Sequence, residues 1–460
     1  MLTSRALLAA LALGLPLGAC SAGPPSAPPP ALPPAPQASA SSSVEPIDPN
    51  AAAVADMMRQ VAAARQLAQR SPLRSLTLAR RPLIAKVRAH VDEEVPRDAV
   101  RGQGELLVGL GLLPPSYDYE KGVFDLLEAQ LAGFYEPGDK TMYLAADLGR
   151  KEADATLAHE LVHALQDQHW DLGPKLRFRP DAGDATSAVH ALAEGDAMSA
   201  MLDVLLRPEG RTAIDAPDAT LAAEMRAEIL LTPSLAEVPT ILKASLVAPY
   251  VDGLLFVNRL RRSGGWRAVD DAWARPPETS EQLLHADKWR TREAALVIPM
   301  PPPDALGPGW KTLYTDTVGE QGVRLVFEEW GKRGAAVRAA EGWGGDRAWV
   351  MARRRGDEEE LVAALWVRFD GAPAACREAE EAYELAARAA GGRPEREQTT
   401  CRERADTGPL VVARRGCDLL LVGGPYKHGG AKAEARGSCG DARAWAEGLL
   451  SHDRPRKTQR

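Results

Sequence analysis

Three of the chain's eight histidines fall within the stretch "TLAHELVHALQDQHW", residues 156 to 170. His159 and His163 bracket Glu160 in the pattern H-E-x-x-H, which chance would produce roughly 0.01 times in a chain of this composition. On an α-helix, residues four apart lie about 40° apart around the axis, so the two imidazoles share a face at a span one zinc ion can bridge. Glu160 sits about 100° round from His159, within reach of a water on that ion without displacing it. This is the chemistry of hydrolysis: an activated water attacks a carbonyl, and a carboxylate first takes its proton and then returns it to the leaving amine.

A catalytic zinc needs a third protein ligand. His169 stands ten residues after His159, where the pattern H-E-x-x-H-x-x-G-x-x-H places a ligand. That arrangement depends on a central glycine to turn the chain out of the helix, and the position here is Gln166. On a continuing helix His169 is about 240° round from His163 and faces away. Glu194, in "ALAEGDA", is the better candidate, because the small residues around it let a second helix come close. His190 precedes it by four and shares its face, as an alternative ligand or as a partner of the glutamate.

The elements that must carry these groups follow from periodicity. Helical spacing runs from about Asp48 to Val91. "AGFYEP" and "KTMYLA" flank Gly138-Asp139 as a two-stranded hairpin, and an amphipathic helix from near Glu152 to Gly173-Pro174 bears the histidines. "DATSAVHALAEGDAMSAMLDVLL" forms the next helix, and more helix covers Leu221 to Arg262. "PMPPPDALGPG", residues 299 to 309, reads as a linker. Beyond it, "RAWVMARR", "ELVAALWVRFD" and the hairpin "PLVVARRGCDLLLVGG" alternate with helices at "APAACREAEEAYELAARAAGG" and "DARAWAEGLL", whereas the glycines of "GWGGDR" suggest a tight turn locked by Asp346 and Arg347. The expected fold class is α+β. A mostly helical domain with a short hairpin spans residues 48–300, and a smaller α+β domain spans 305–452.

The 460 residues are long enough for two cores, at roughly 100 to 200 residues per domain. With a formal charge of −7 and dispersed lysines and arginines, no concentrated basic face exists for a polyanion, so nucleic acid is not an expected partner. Residues 1–20 read as an export signal: Arg5, the apolar run "ALLAALALGLPL", then "LGAC" ending at Cys20. That motif resembles a bacterial lipobox, which implies that Cys20 carries lipid and tethers the chain to a membrane surface. The Pro/Ala/Ser-rich residues 21–47 serve as a semi-rigid tether, and no later run of roughly 18 consecutive apolar residues spans a membrane. Ser21 rather than Asp after Cys20 favours the outer membrane by the sorting rule of diderm lipoproteins. Cys376, Cys401, Cys417 and Cys439 all lie in the last quarter, without a C-x-x-C pair, and point to two disulfides of open connectivity rather than a zinc site.

"HELVHALQDQHWDL" followed by "ALAEGDA" resembles the gluzincin class of zinc metallopeptidases, specifically a group of bacterial and archaeal envelope proteins that are often lipoproteins. "LAGFYEPGDKTMYLA", "APYVDGLLFV", "PPETSEQLLHADKW" and "GWGGDR" extend the likeness over roughly residues 80 to 370. The resemblance implies a zincin-like fold, a Zn2+ cofactor held by His159, His163 and Glu194, Glu160 as general base, and peptide or protein substrates. It also implies a strand above the active-site helix that pairs with the substrate, for which "KTMYLAADL" is the natural candidate. Two features depart from the pattern. The gap between second and third ligands is longer than in thermolysin-like enzymes, and the supporting acid expected four residues after the ligand glutamate is Met198, with Asp196 or Asp203 as substitutes. Tyr250, His285 and Tyr135 are the candidate oxyanion donors. The competing expectation is a catalytically silent envelope lipoprotein of the same fold that acts by binding. Glu160 argues against it, since a closed structural zinc site has no use for a general base.

Overall fold

The computed structural model describes residues 48, 50–232, 235–371, 376–394, 398–429 and 432–452. The expected export signal, Cys20 and the expected tether lie outside them. The chain is α+β, as its periodicity predicts. Helix α1 (Ala51–Arg65), strand β1 (Arg74–Leu78), helices α2 (Arg80–Glu94), α3 (Arg97–Gly109) and α4 (Tyr119–Gln130), and the hairpin β2 (Gly133–Glu136) and β3 (Thr141–Ala145) come first. Three long helices follow: α5 (Arg150–Trp170), α6 (Gly183–Leu206) and, after the shorter α7 (Asp218–Leu230), α8 (Thr240–Ala274).

Beyond residue 310 the elements are β4 (Lys311–Asp316), α9 (Gly319–Glu328), α10 (Arg333–Ala340), β5 (Trp343–Arg355), β6 (Glu358–Phe369), α11 (Arg377–Ala389), β7 (Thr399–Arg402), β8 (Leu410–Arg415), β9 (Asp418–Gly429), β10 (Lys432–Ala435) and α12 (Cys439–His452).

The small sheet has the order β1-β3-β2, with β1 parallel and β2 antiparallel to β3. Two expectations change here. The residues of β1 lie inside a stretch whose spacing reads as helix, yet they form a strand, because Leu76 and Leu78 pack beside Phe134 and Tyr143 over α2. With β1 on one side and β2 on the other, both edges of β3 are already hydrogen-bonded, so "KTMYLA" has no free edge to offer a substrate. The edge strands are β1 and β2, and β2 is the one beside α5.

Helix α5 is also not amphipathic along its centre. From Ala155 through Val162 it is buried on every face, between the small sheet, α1 and α6. The main core gathers α1, α5, α6 and α8 around it. Helices α6 and α8 cross in backbone contact: a Cβ on Gly195 would stand 2.0 Å from the Gly253 carbonyl carbon, and one on Gly253 1.8 Å from the Ala191 oxygen. Those two glycines set the helix separation one residue from Glu194. Helix α8 is the one helix among the described residues long and apolar enough to cross a membrane, and 78% of its apolar window is buried inside the protein.

The large sheet is antiparallel, ordered β4-β5-β6-β9-β8-β7, with β10 on β9. Helices α9 to α11 cover one face and α12 the other. Residues 97–113 also pack on this sheet. The Tyr426 hydroxyl donates to the Glu105 carbonyl at 3.0 Å, and an Arg404 N–H donates to the Gly109 carbonyl at 2.7 Å. "GWGGDR" opens β5 instead of forming a closed turn, and Asp346 accepts from the Val318 and Gly319 amides, 2.8 Å each, at the start of α9. Cys376 with Cys417 and Cys401 with Cys439 stand at disulfide distance, their Cα atoms 5.3 and 5.8 Å apart. Of the three open connectivities, this is the one the fold allows.

Candidate metal centre

Helices α5 and α6 bring His159, His163 and Glu194 together. The two Nε2 atoms lie 3.1 Å apart, and Glu194 Oε2 is 3.0 Å from His159 Nε2 and 3.6 Å from His163 Nε2. Ligands about 2.0–2.1 Å from one tetrahedral zinc ion stand about 3.3 Å apart, a value these three separations bracket. His169 is elsewhere: its Nε2 meets the Ala68 carbonyl at 2.8 Å near the exposed helix end. His190 is not within the triad but holds it, its Nε2 3.0 Å from the second carboxylate oxygen of Glu194.

A hydrogen bond from outside the triad orients His163, whereas His159 Nδ1 is buried without a hydrogen-bond partner among the described residues. The Gln166 side-chain nitrogen donates to the Ala193 carbonyl at 3.0 Å and to Asp196 at 3.2 Å, which turns its oxygen toward His163 Nδ1 at 2.9 Å. That oxygen can only accept, so Nδ1 of His163 carries the proton and its Nε2 presents a lone pair to the common point. Asp196 in turn accepts from the Trp273 indole at 2.8 Å and from Arg65, which is fully buried, stacks on Trp266 and also pairs with Asp270. Asp196 thus supports a histidine from a position where Met198 cannot, through Gln166. Asp203 does not; it is occupied by Arg261.

Electrostatics make the cluster ask for positive charge. Burial opposes ionisation of Glu194, but the His163 charge and three histidine hydrogen bonds hold its carboxyl well below the usual range. Burial lowers His159, while His163, despite the same desolvation, is raised to about 9 by Glu194. Two buried imidazoles beside a carboxylate are satisfied by a proton or by a cation in the middle.

Glu160 is 4% exposed, and its Oε2 accepts the Tyr135 amide of edge strand β2 at 3.0 Å. Burial raises it to about 7, against the pull of the His163 charge. The amide pins the carboxylate beside the triad. Of the three candidate oxyanion donors, the Tyr135 hydroxyl is committed to Asp167 at 2.8 Å and His285 to Glu320 at 3.0 Å. Tyr250 differs. Its ring centroid is 6.1 Å from that of His159, and its hydroxyl is buried beside Glu194 and Glu160, whose charges add to burial in pushing it well above its ordinary value.

Sequence reasoning missed Gln166, Arg65 and Trp273. Gln166 had a signal, since three residues after His163 it shares that histidine's face. Arg65 and Trp273 had none: they lie 131 and 77 residues from Asp196 along the chain.

A family model described as "Domain of unknown function (DUF8575)" matches residues 311–433, which run from β4 into β10 of the large sheet and exclude the histidine-bearing helices. No curated protein and no solved structure matches the chain.

Proposed function

We propose that the chain is a zinc-dependent metallopeptidase, with a zincin-like helical region, exported and lipid-anchored to the cell envelope through Cys20. One observation carries the catalytic reading: three ligand atoms converge at 3.0, 3.1 and 3.6 Å with an amide-pinned glutamate beside them. His159, His163 and Glu194 would hold the ion. Zinc, when bound, supplies Lewis acidity toward water and the scissile carbonyl.

The chain's own residues do the rest. Glu160 takes the proton of the attacking water and returns it to the departing amine, the role its burial and raised pKa suit at neutral pH. His190 and Gln166 keep two of the ligands in register. β2, the edge strand whose amide holds Glu160, is the place for an extended peptide to lie alongside the site.

Purified chain is expected to hold one zinc per molecule by plasma mass spectrometry and to cleave an unfolded protein. Glu160→Gln is expected to retain the zinc and lose cleavage. Failure to bind zinc, or cleavage that survives Glu160→Gln, would overturn the reading; zinc without cleavage would leave the silent binding protein.

A further inference from the structure

A small cavity of about 140 Å3, with none of the triad residues in its lining, lies where four helices meet. α7 lends it Arg226, α8 Lys243, α9 Arg324 and α10 Arg333. Helices α7 and α8 belong to the histidine-bearing region, whereas α9 and α10 lie beyond residue 310, so the cavity sits on the seam between the two.

The four cations are not equally satisfied. Arg324 is spent on Asp252, which accepts its Nη2 at 2.6 Å and the Gln321 side-chain nitrogen at 2.7 Å. Arg333 is spent on Glu328, and Arg324 Nε lies 3.4 Å from the same carboxylate oxygen. Lys243, 8% exposed, gives its Nζ to the Leu235 carbonyl at 3.2 Å and forms no ion pair with a described carboxylate. Arg226, half-buried, makes neither a hydrogen bond nor an ion pair with any described residue. Glu329, the remaining acid in the lining, is pushed up by burial and by the Glu328 charge, so it holds its proton more tightly than an exposed glutamate. Burial, and then the charges of Arg333 and Arg324, push Arg226 down to about 10, which leaves it a cation at neutral pH.

We infer that this cavity binds a small free oxyanion, phosphate or sulfate, held by Arg226 and Lys243 and framed by Arg324 and Arg333. A guanidinium partly out of water, with two other guanidiniums for neighbours, is destabilising until an anion joins it, and its planar fork matches two oxygens of a tetrahedral ion. Asp252 and Glu328 do not fill that place, because each already carries an arginine of its own. Thr240 adds a hydroxyl to the lining from the first position of α8, a helix start without a side-chain cap, where negative charge is favoured. The room is roughly that of five waters at ~30 Å3 each, enough for one tetrahedral ion and too little for a nucleotide. None of this passes through the histidines, so the inference stands or falls apart from the peptidase proposal. An ion in the cavity would tie α7 and α8 to α9 and α10, and its occupancy is therefore read in the stability of the whole chain.

The test is thermal unfolding of the full chain, dialysed free of metal, in sodium phosphate against sodium chloride at equal ionic strength and neutral pH. The wild-type midpoint is expected to climb with the logarithm of phosphate concentration, and likewise with sulfate, but not with chloride. Arg226→Met keeps the apolar stem and removes the guanidinium. It is expected to weaken phosphate at least tenfold and, having broken no internal pair, to unfold no earlier than wild type in chloride. Arg226→Lys, which keeps the charge without the fork, is expected to bind phosphate with an affinity between the two. A midpoint that follows chloride as closely as phosphate would overturn the inference. So would a phosphate shift of full size in Arg226→Met, which would place the ion elsewhere. An Arg226→Met chain less stable than wild type in chloride would overturn it as well, since Arg226 would then be answered from within the protein.

Discussion

Two clusters in this molecule place three metal-capable side chains within reach of one another, and they solve the same electrostatic problem differently. One is His159, His163 and Glu194; the other is Glu281, Glu293 and Asp370. In the second, the cation is built into the chain: Lys288 Nζ sits 2.5 Å from Glu281, 2.8 Å from Glu293 and 2.8 Å from Asp370. In the first no lysine or arginine among the described residues pairs with Glu194, and His190 and Gln166 hydrogen-bond the outward atoms of Glu194 and His163. A cluster closed by its own ammonium ties a loop to a sheet. In the cluster of His159, His163 and Glu194 the positive charge comes from a proton on His163, raised to about 9 by Glu194, or from a cation in its place.

The largest expected effect separates the two by chemistry. Glu160→Gln should lower kcat about 10³-fold with zinc content unchanged, within the range for loss of a general base. In contrast, Lys288→Met should leave kcat/KM and zinc stoichiometry near wild type and destabilise the fold by about 3 kcal/mol in urea melts, because Glu281, which is 2% exposed, loses its partner. A Lys288→Met chain that lost zinc would show that the clusters are coupled and erase the distinction.

Metal linkage comes next in size. On the proposed reading, in which zinc binds the folded state alone, zinc at 100 times its dissociation constant should stabilise the wild-type chain by about 2.7 kcal/mol. Glu194→Gln should show no zinc-dependent shift in the thermal midpoint. Stabilisation that persists in Glu194→Gln would place the ion elsewhere, and the acidic cluster around Lys288 would be the first place to look.

How much of this contrast was readable in the chain depended on distance along it. His159, Glu160 and His163 sit within one helical turn or so, and the helix that bears them is foretold by local pattern. Glu194 was readable because Gly195 and its alanine neighbours announce a close helix crossing, which Gly253 completes. The β2–β3 hairpin was equally local, carried by Gly138-Asp139 and its aromatic flanks. What was not readable is set by long-range pairing. β1 joins β3 across more than sixty residues and turns a would-be docking strand into a central one, and residues 97–113 leave their neighbours to pack on the distant sheet. Arg65, fully buried under Trp266, looks in the sequence like one more exposed helix arginine.

Gln166 is where local and distant contributions meet, and it sharpens the comparison most finely. Its side chain relays Asp196, and through it Arg65 and Trp273, to His163 Nδ1. Outer hydrogen bonds of this kind orient a ligand and fix its tautomer, and their loss typically costs 10–100-fold in metal affinity. Gln166→Ala should therefore weaken zinc binding about tenfold in competition with a chelator, and on the proposed peptidase reading the zinc-saturated chain keeps most of its kcat because Glu160 is untouched. Gln166→Glu is the informative partner. A carboxylate at that position still accepts from Nδ1 but can no longer donate to Ala193 or Asp196. If His163 orientation is what matters, affinity in Gln166→Glu recovers relative to Gln166→Ala. If the tie to Asp196 and Arg65 is what matters, it falls at least as far, and the supporting network, not the single hydrogen bond, is what keeps His163 in place beside His159 and Glu194.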